Sequence, residues 1–407
     1  MKAFGHISLG IRLAAACLGL VLVQPAFAQP AAPAKGFTLS RVVVVMRHGV
    51  RPPTKAQVVP DNLSTRDWPK WDVPYGYLTA HGTQAITRLG EFDGQTYAGL
   101  LGDACTGGKV PSVRIVADTD QRTLATAEAW AGGAIKGCKP PVENAGEGKA
   151  DPRFSPFEAG QAFDADAGLK SAQAALPKGG LAGLDTANRA RLDAISAILG
   201  CTKADCQLSG IPVALDAAKG RVKISGGLDT GSTVGQVLML EYADGKPMSE
   251  VGWGLADKAR IRDLLTLHAL EFQLVARPKV IAEFGARPLL AEVRRGLFAT
   301  DSARYTLLVG HDSNLAYIGG ALGLHWTGGD FPQDDPPPGG AIVFELWKNK
   351  AGAQKIVVRF RSQTLDEIRD LSPLKAGALT TLKPAICNNQ PVCEGDRFEK
   401  TLAAMTD

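Results

Sequence analysis

Five short runs along this chain are dense in apolar, β-branched or aromatic residues: Val42-Val43-Val44-Val45-Met46, Val113 to Ala117, Tyr305 to Val309, Ala341 to Trp347 and Lys355 to Phe360. Such runs predict strands, and the unbroken apolar stretch at 42–46 predicts one buried on both faces, as in the interior of a parallel sheet. Between the second and third runs, from about 145 to 262, the pattern changes to alanine, leucine and short polar loops, with helical spacing at 188–199 and 232–242. A further helical pattern covers 258–273. Strands on both sides of the helical stretch would rejoin in one sheet. The expected fold class is α/β: a parallel-rich sheet core flanked by helices (37–144 and 263–407), with an inserted, mostly α-helical lobe at 145–262 and a ligand cleft between the two.

The polar residues that follow three of these runs carry the chemistry. Met46 leads at once into Arg47-His48-Gly49-Val50-Arg51-Pro52-Pro53, Val309 into Gly310-His311-Asp312, and Ala117 into Asp118-Thr119-Asp120-Gln121-Arg122. In α/β proteins the carboxyl ends of parallel strands are where ligands bind. If the three strands are neighbours, His48, His311, Asp312 and the guanidinium groups of Arg47, Arg51 and Arg122 meet on one edge. Arginine is permanently charged and its planar fork matches phosphate, so chemistry on a phosphoryl group is the leading expectation.

Composition and targeting narrow the setting. The chain has 407 residues, 45% hydrophobic and 21% charged, ordinary for a globular protein and long enough for two domains. Residues 1–28 combine Lys2 and Arg12, an apolar stretch from Leu13 to Val23 and Ala26-Phe27-Ala28 before Gln29. That is the pattern of a signal peptide cleaved after Ala28, too short in its apolar part to span a bilayer. The apolar run continues past Cys17, which speaks against lipidation there. Without Lys2 and Arg12 the formal charge of +4 becomes +2, so nothing points to nucleic acid as a partner, and no other stretch suits a membrane span. A periplasmic or secreted location is expected. The proline-rich residues 29–36 read as a lead-in. Cys105, Cys138, Cys201, Cys206, Cys387 and Cys393 are an even set in an exported chain, which predicts disulfides; six cysteines allow about 15 pairings. No CxxC pair or histidine cluster suggests zinc.

Arg47-His48-Gly49-x-Arg51-x-Pro53 with Gly310-His311-Asp312 resembles the histidine acid phosphatase family, most closely its bacterial phytase and glucose-1-phosphatase members. Asp118 to Thr123, Val251-Gly252-Trp253-Gly254, Asn314-Leu315-Ala316 and Pro337-Pro338-Gly339-Gly340 stand in the family's order, and the resemblance covers nearly all of the chain after residue 28. Arg-His-Gly alone is shared with phosphoglycerate mutases; the full set is what makes the signal specific. The resemblance implies that His48 attacks phosphorus to form a phosphohistidine and that Arg47, Arg51, Arg122 and His311 bind the phosphoryl oxygens. It also implies that Asp312 protonates the leaving group and then assists water. It implies the disulfide pairs 105–138, 201–206 and 387–393, and no metal or cofactor. The expected substrate is a phosphorylated small molecule such as phytate or a sugar phosphate. The alternatives are a glucose-1-phosphatase or broad-specificity acid phosphatase, a phosphoryl transferase of the mutase type and a non-catalytic binder of phosphorylated ligands. The chain lacks GxxxxGK[ST], HExxH and a GxSxG around Ser313, so nucleotide-driven transfer, zinc hydrolysis and serine hydrolysis lack their parts.

Charge logic predicts an acidic optimum: neighbouring guanidinium groups keep His48 neutral and nucleophilic at low pH, while Asp312 has to hold a proton to act as an acid. Gln236 stands where related enzymes carry an acidic residue, which mildly favours a multiply phosphorylated inositol. Other residues have plainer expectations. His268, on an otherwise apolar segment, reads as a core histidine, His81 as surface, and His325 with Trp326 as structural. Asp334 to Gly340 suits a rigid proline loop better than a calcium site. Asp118 and Asp120 either orient Arg122 or cap a helix beginning near Thr119. Lys170, Lys178 and Lys203 read as solvated surface.

Overall fold

The structure is a computed structural model. It describes Met1 and residues 31–64, 66–102, 104–105, 112–146, 148–160 and 162–407, so the expected signal segment, its cleavage site and Cys17 lie outside the described residues. Ten strands occur among the described residues: β1 (Thr38–Arg47), β2 (Val113–Ala117), β3 (Val142–Glu143), β4 (Ala214–Ala218), β5 (Arg221–Ser225), β6 (Tyr305–Gly310), β7 (Ala341–Lys348), β8 (Gln354–Arg361), β9 (Leu379–Thr381) and β10 (Cys393–Glu394). The helices are α1 (Ala80–Thr96), α2 (Ala98–Leu101), α3 (Gln121–Ala134), α4 (Ala165–Ala174), α5 (Gly180–Ile198), α6 (Gly227–Ala243), α7 (Lys258–Val275), α8 (Lys279–Phe298), α9 (Asp312–Leu322), α10 (Leu365–Arg369) and α11 (Gly395–Thr406). None of them is long and apolar enough to cross a membrane.

Eight strands form one mixed sheet in the order β10-β8-β7-β1-β6-β2-β3, with β9 on β8. Its β1, β6, β2 and β3 half is parallel and the rest is antiparallel. The apolar run of β1 lies at the centre. Val42, Val44 and Met46 point to the layer of α1 and α3, where Ile86, Leu89 and Trp130 meet them, while Val43 and Val45 point to α8 and α9, against Leu289, Val293 and Leu315. All five are fully buried, each worth about 1.5–3 kcal/mol of burial. The period of two along a strand thus explains why an unbroken apolar run was needed.

The stretch before α7 is less uniformly helical than its alanine content suggests. A hairpin of β4 and β5 interrupts it, turning at Lys219 and Gly220, both with positive φ (+52° and +70°). Leu215, Val222 and Ile224 of the hairpin pack on α4, α6 and the end of α7, and a second core unites α5, α6 and α7. The disulfides pair 105–138, 201–206 and 387–393.

Two local expectations change, at the start of α3 and at His81, while the 334–340 loop keeps its structural reading. α3 begins at Gln121, with Asp120 at its N-cap position but making no side-chain cap bond. His81 is half-buried, not surface: its Nε2 lies 2.9 Å from the carbonyl of Ile368 and ties α1 to α10. The cause is Thr79, which caps α1 by accepting from Gly82 and so sets where His81 emerges. Asp334 and Asp335 are buried inside the 334–340 loop; Asp334 accepts from the Trp326 backbone at 3.0 Å and pairs with His325 at 2.7 Å.

Candidate active site

Strand register brings the chemistry together. Arg47 lies opposite Gly310, and Ala117 opposite Val309, so the segments starting at Arg47, His311 and Asp118 leave the sheet side by side at its carboxyl edge. Gly310 has to be glycine, because a Cβ there would sit 2.3 Å from Asn314 Oδ1 and 2.7 Å from the Phe154 ring. Asn314 in turn receives the backbone N–H of His311 at 2.8 Å and donates to the Phe154 carbonyl at 2.7 Å, fixing the start of α9.

His48, Arg51, Arg122, His311 and Asp312 line one hollow of about 250 Å³, together with Asp120, Phe157, Arg221 and Tyr317. Arg47 borders it through Asp312. His48 is 1% exposed, and its backbone is pinned on both sides: its N–H donates to Gly310 and its carbonyl accepts from Gly339. Gly339 adopts φ +70°, which favours glycine. The His48 Nδ1 lies 2.8 Å from the Gly49 carbonyl, so Nδ1 carries the hydrogen and Nε2 keeps its lone pair. Burial first, then Arg51, Arg122, Arg47 and His311, hold this imidazole well below its ordinary pKa.

The guanidinium groups are incompletely paired. Arg47 Nη1 donates to the Pro336 carbonyl at 2.5 Å and Nη2 forms an ion pair with Asp312 at 2.9 Å, yet its Nε has no partner. Arg51 donates to the Pro52 carbonyl and Arg122 to Asp120 at 2.6 Å; the Nε of each is likewise buried and unpartnered. Burial, Arg47 and Arg122 push Arg51 down to about 9. Arg51 and Arg122 line the hollow and Arg47 stands behind Asp312, and guanidinium groups incompletely paired within the protein fit an anion that can accept from them.

Asp118 and Asp120 resolve into different tasks. Asp120 orients Arg122, one of the two alternatives read from the sequence. Asp118 does neither: its Oδ2 lies 2.7 Å from His311 Nε2, while Oδ1 accepts from the Thr119 backbone. His311 therefore commits Nε2 to Asp118, and its ring stands 5.7 Å from that of His48 at 71°. Asp118, Asp120 and His311 hold potential ligand atoms within 4.8 Å of one another, but these are the same atoms that pair with one another and with Arg122.

Asp312 corrects the simple account of acidity. Burial alone would raise its pKa, but Arg47, His268, His48 and Arg51 outweigh burial and hold the carboxyl far below the usual range. The site thus favours the carboxylate form of Asp312, and as a leaving-group acid it draws its proton from elsewhere.

Asp312 also lines a second cavity of about 310 Å³ with Arg51, Thr54, Lys55, Ser232, Gln236, His268 and Glu271. His268 is thus a core histidine by burial, at 5% exposure, and a wall of the cleft by position. Asp335 Oδ1 lies 2.5 Å from its Nδ1 and Gln236 contacts its Nε2. Sequence reasoning missed His268, Asp335, Lys55 and Arg221 because only the three-dimensional cleft joins them. Lys170, Lys178 and Lys203 are exposed, as expected, and line neither cavity.

The model of the histidine phosphatase superfamily (branch 2) matches residues 38–170 and 278–363. Phytase AppA of Escherichia coli (strain K12) is 33% identical over 379 residues, covering 86% of each chain. A glucose-1-phosphatase of Providencia rettgeri is 28% identical over 387 residues, covering 90% of this chain and 91% of the relative. Among solved structures, the Hafnia alvei phytase in complex with myo-inositol hexakis sulphate superposes with a TM-score of 0.81 at 29% identity, covering 92% of this chain and 98% of that one. The Citrobacter braakii phytase gives 0.80 at 30% identity, covering 91% and 98%.

Proposed function

The chain belongs to the histidine phosphatase superfamily (branch 2), and on that premise we propose that it is a phytase-like acid phosphatase working through a phosphohistidine. The observation that carries this reading is the convergence of Arg51, Arg122, His311 and Asp312 on a hollow that also holds His48 with its Nε2 lone pair, with Arg47 joined to it through the Asp312 ion pair.

A phosphoryl group seated there places its oxygens among Arg47, Arg51, Arg122 and His311, which neutralise charge in the transition state. His48 Nε2 attacks phosphorus as the bond to the leaving oxygen breaks, and Asp312 gives that oxygen a proton. Water then attacks the phosphohistidine, its proton passing to Asp312, and inorganic phosphate leaves with His48 restored. Asp312 suits both steps because it lines the phosphate hollow and the second cavity alike. No step calls for a cofactor.

The second cavity is the place for the leaving alcohol. Lys55 on its rim and the neutral amide of Gln236 suit a substrate with further phosphates, as do Arg221 beside the phosphate hollow and Lys223 nearby, which favours phytate. Glucose 1-phosphate is the second reading, because relatives named glucose-1-phosphatase align over about nine-tenths of the chain. The two-lobe division belongs to the same proposal: 37–144 and 263–407 as catalytic core and 145–262 as the lobe, with a boundary at 262 that falls within α7. Export to the periplasm or beyond is proposed from the leader-like residues 1–28 and is supported by three disulfides.

The test is phosphate release at about pH 4–5 from phytate, glucose 1-phosphate and an aryl phosphate, with His48→Ala alongside. The parent is expected to release phosphate and the variant to lose it; release by His48→Ala at the parental rate would reject the nucleophile.

A further inference from the structure

We propose that Asp335, His268 and Gln236 form a proton-linked specificity element: when His268 is an imidazolium, the Gln236 amide turns its N–H groups toward the cleft and selects leaving alcohols that carry additional anionic groups. The inference rests on the phosphatase reading above and assigns a task to residues outside the phosphate hollow.

The geometry fixes the possible states. Asp335 is a carboxylate 2.5 Å from Nδ1, so Nδ1 carries a hydrogen in either protonation state. The Nε2 then decides what Gln236 does. With neutral His268, Nε2 is an acceptor; the amide donates N–H to it, the orientation found here, and leaves its carbonyl oxygen for the cavity that Gln236 lines. With protonated His268, Nε2 becomes a donor, the amide has to turn over to accept, and its N–H groups face the cleft instead. One proton therefore adds a buried positive charge behind the pocket and exchanges an acceptor for donors at its wall.

The groups around His268 favour the charged state under acid conditions. They are Asp335 from the 334–340 loop, Glu271 and the edge-on ring of Phe272 on its own helix α7, Asp312 at the start of α9 and Arg47 at the end of β1. Burial opposes the charge, but Asp335 and Asp312 prevail over it and over Arg47, and the imidazole sits above its ordinary pKa. Glu271 is bonded to Ser232 and is itself raised by burial, so Asp335 is the acidic partner that dominates. The same loop donates Gly339 N–H to the His48 carbonyl and supplies the Pro336 carbonyl to Arg47, which holds the element in register with the reacting groups.

The test uses Asp335→Asn, of equal shape. Histidine side-chain NMR reads the His268 midpoint, and selectivity is measured as kcat/KM for phytate divided by kcat/KM for an aryl phosphate, each variant supplying its own denominator. The midpoint is expected to fall in the variant. Selectivity is expected to drop about tenfold between the two midpoints and to agree with the parent within about twofold below both. Phytate's own titration cancels, since both proteins see the same substrate. An unmoved midpoint, an unchanged selectivity in that window, or an equal loss on both sides of it would overturn the proposal. Should Asp335→Asn fail to fold, Gln236→Leu replaces it: its selectivity should lose the step at the His268 midpoint, and a retained step rejects the element. A wild type that hydrolyses neither substrate refutes the phosphatase reading instead.

Discussion

If Asp312 is ionised before substrate arrives, the proton that reaches the leaving alcohol has to enter with the phosphate ester. Arg47 and Asp312 are 2.9 Å apart, and at an effective dielectric of about 20 that separation corresponds to an attraction of about 6 kcal/mol, roughly four decades of proton affinity. Burial of the carboxyl works in the opposite direction and is outweighed. A bound phosphoryl group competes for Arg47 and relaxes its hold, so Asp312 becomes basic enough to take a proton from a phosphate oxygen. The competent pair is therefore the free enzyme with the monoanionic ester. Its population falls above the ester's second ionisation, about 6 for an alkyl phosphate, and kcat/KM should fall about tenfold per pH unit beyond it. The assay is kcat/KM against pH for two aryl phosphates whose second ionisations differ by about one unit. Their alkaline limbs should separate by the same amount. Coincident limbs would show that a protein group sets the limb and would refute this proton route.

Two further outcomes are expected. Asp118→Asn removes the charged partner 2.7 Å from His311 Nε2; a hydrogen bond of that type is worth about 1.5–3 kcal/mol, so kcat/KM should drop about 10- to 100-fold, and adding it to His311→Ala should cost little more. Additive losses in that double-mutant cycle would count against the coupling. Glu241 on α6 is fully buried, with one oxygen accepting from Gly252 and the other unpartnered, and burial pushes it up to about 7 from 4.5. Its folded pKa exceeds its unfolded one, so its contribution is complete below about 4.5 and declines by about 3 kcal/mol as pH rises through 7. Glu241→Gln should melt higher than the parent at about pH 8 and alike at about pH 4.5; equal melting at both would argue that Glu241 titrates normally.

The sheet strands and the gathering of His48, Arg51, Arg122, His311 and Asp312 around one hollow were legible because one pattern announced both: an apolar run ending in charged residues marks a buried strand and the polar segment that leaves its carboxyl end. β1, β2 and β6 all read this way, and their register did the rest. The hairpin of β4 and β5 was hidden by Ala214, Ala217 and Ala218, which suggested helix, although Arg221-Val-Lys-Ile-Ser alternates as a strand should. Asp118 was read for its neighbours in sequence, whereas its partner is 193 residues away. The apolar neighbours of His268 point to the core alone, whereas burial and cleft position coexist in it, and its link to Asp335 spans 67 residues of chain that no local pattern connects.

The central strand also constrains how the molecule is made. A chain emerging amino terminus first presents Val42 to Met46 early, but the partners of that segment lie at Tyr305–Gly310 and Ala341–Lys348, so about 260 residues must follow before it is zipped into place. The cystines 105–138 and 201–206, with separations of 33 and 5 residues, can close long before. Until then a naked β-branched segment is available to other chains, the composition that seeds cross-β stacking. An interrupted product therefore goes to aggregate and not to a weaker catalyst: with Gly310 and Gly339 still unmade, nothing holds the backbone of His48.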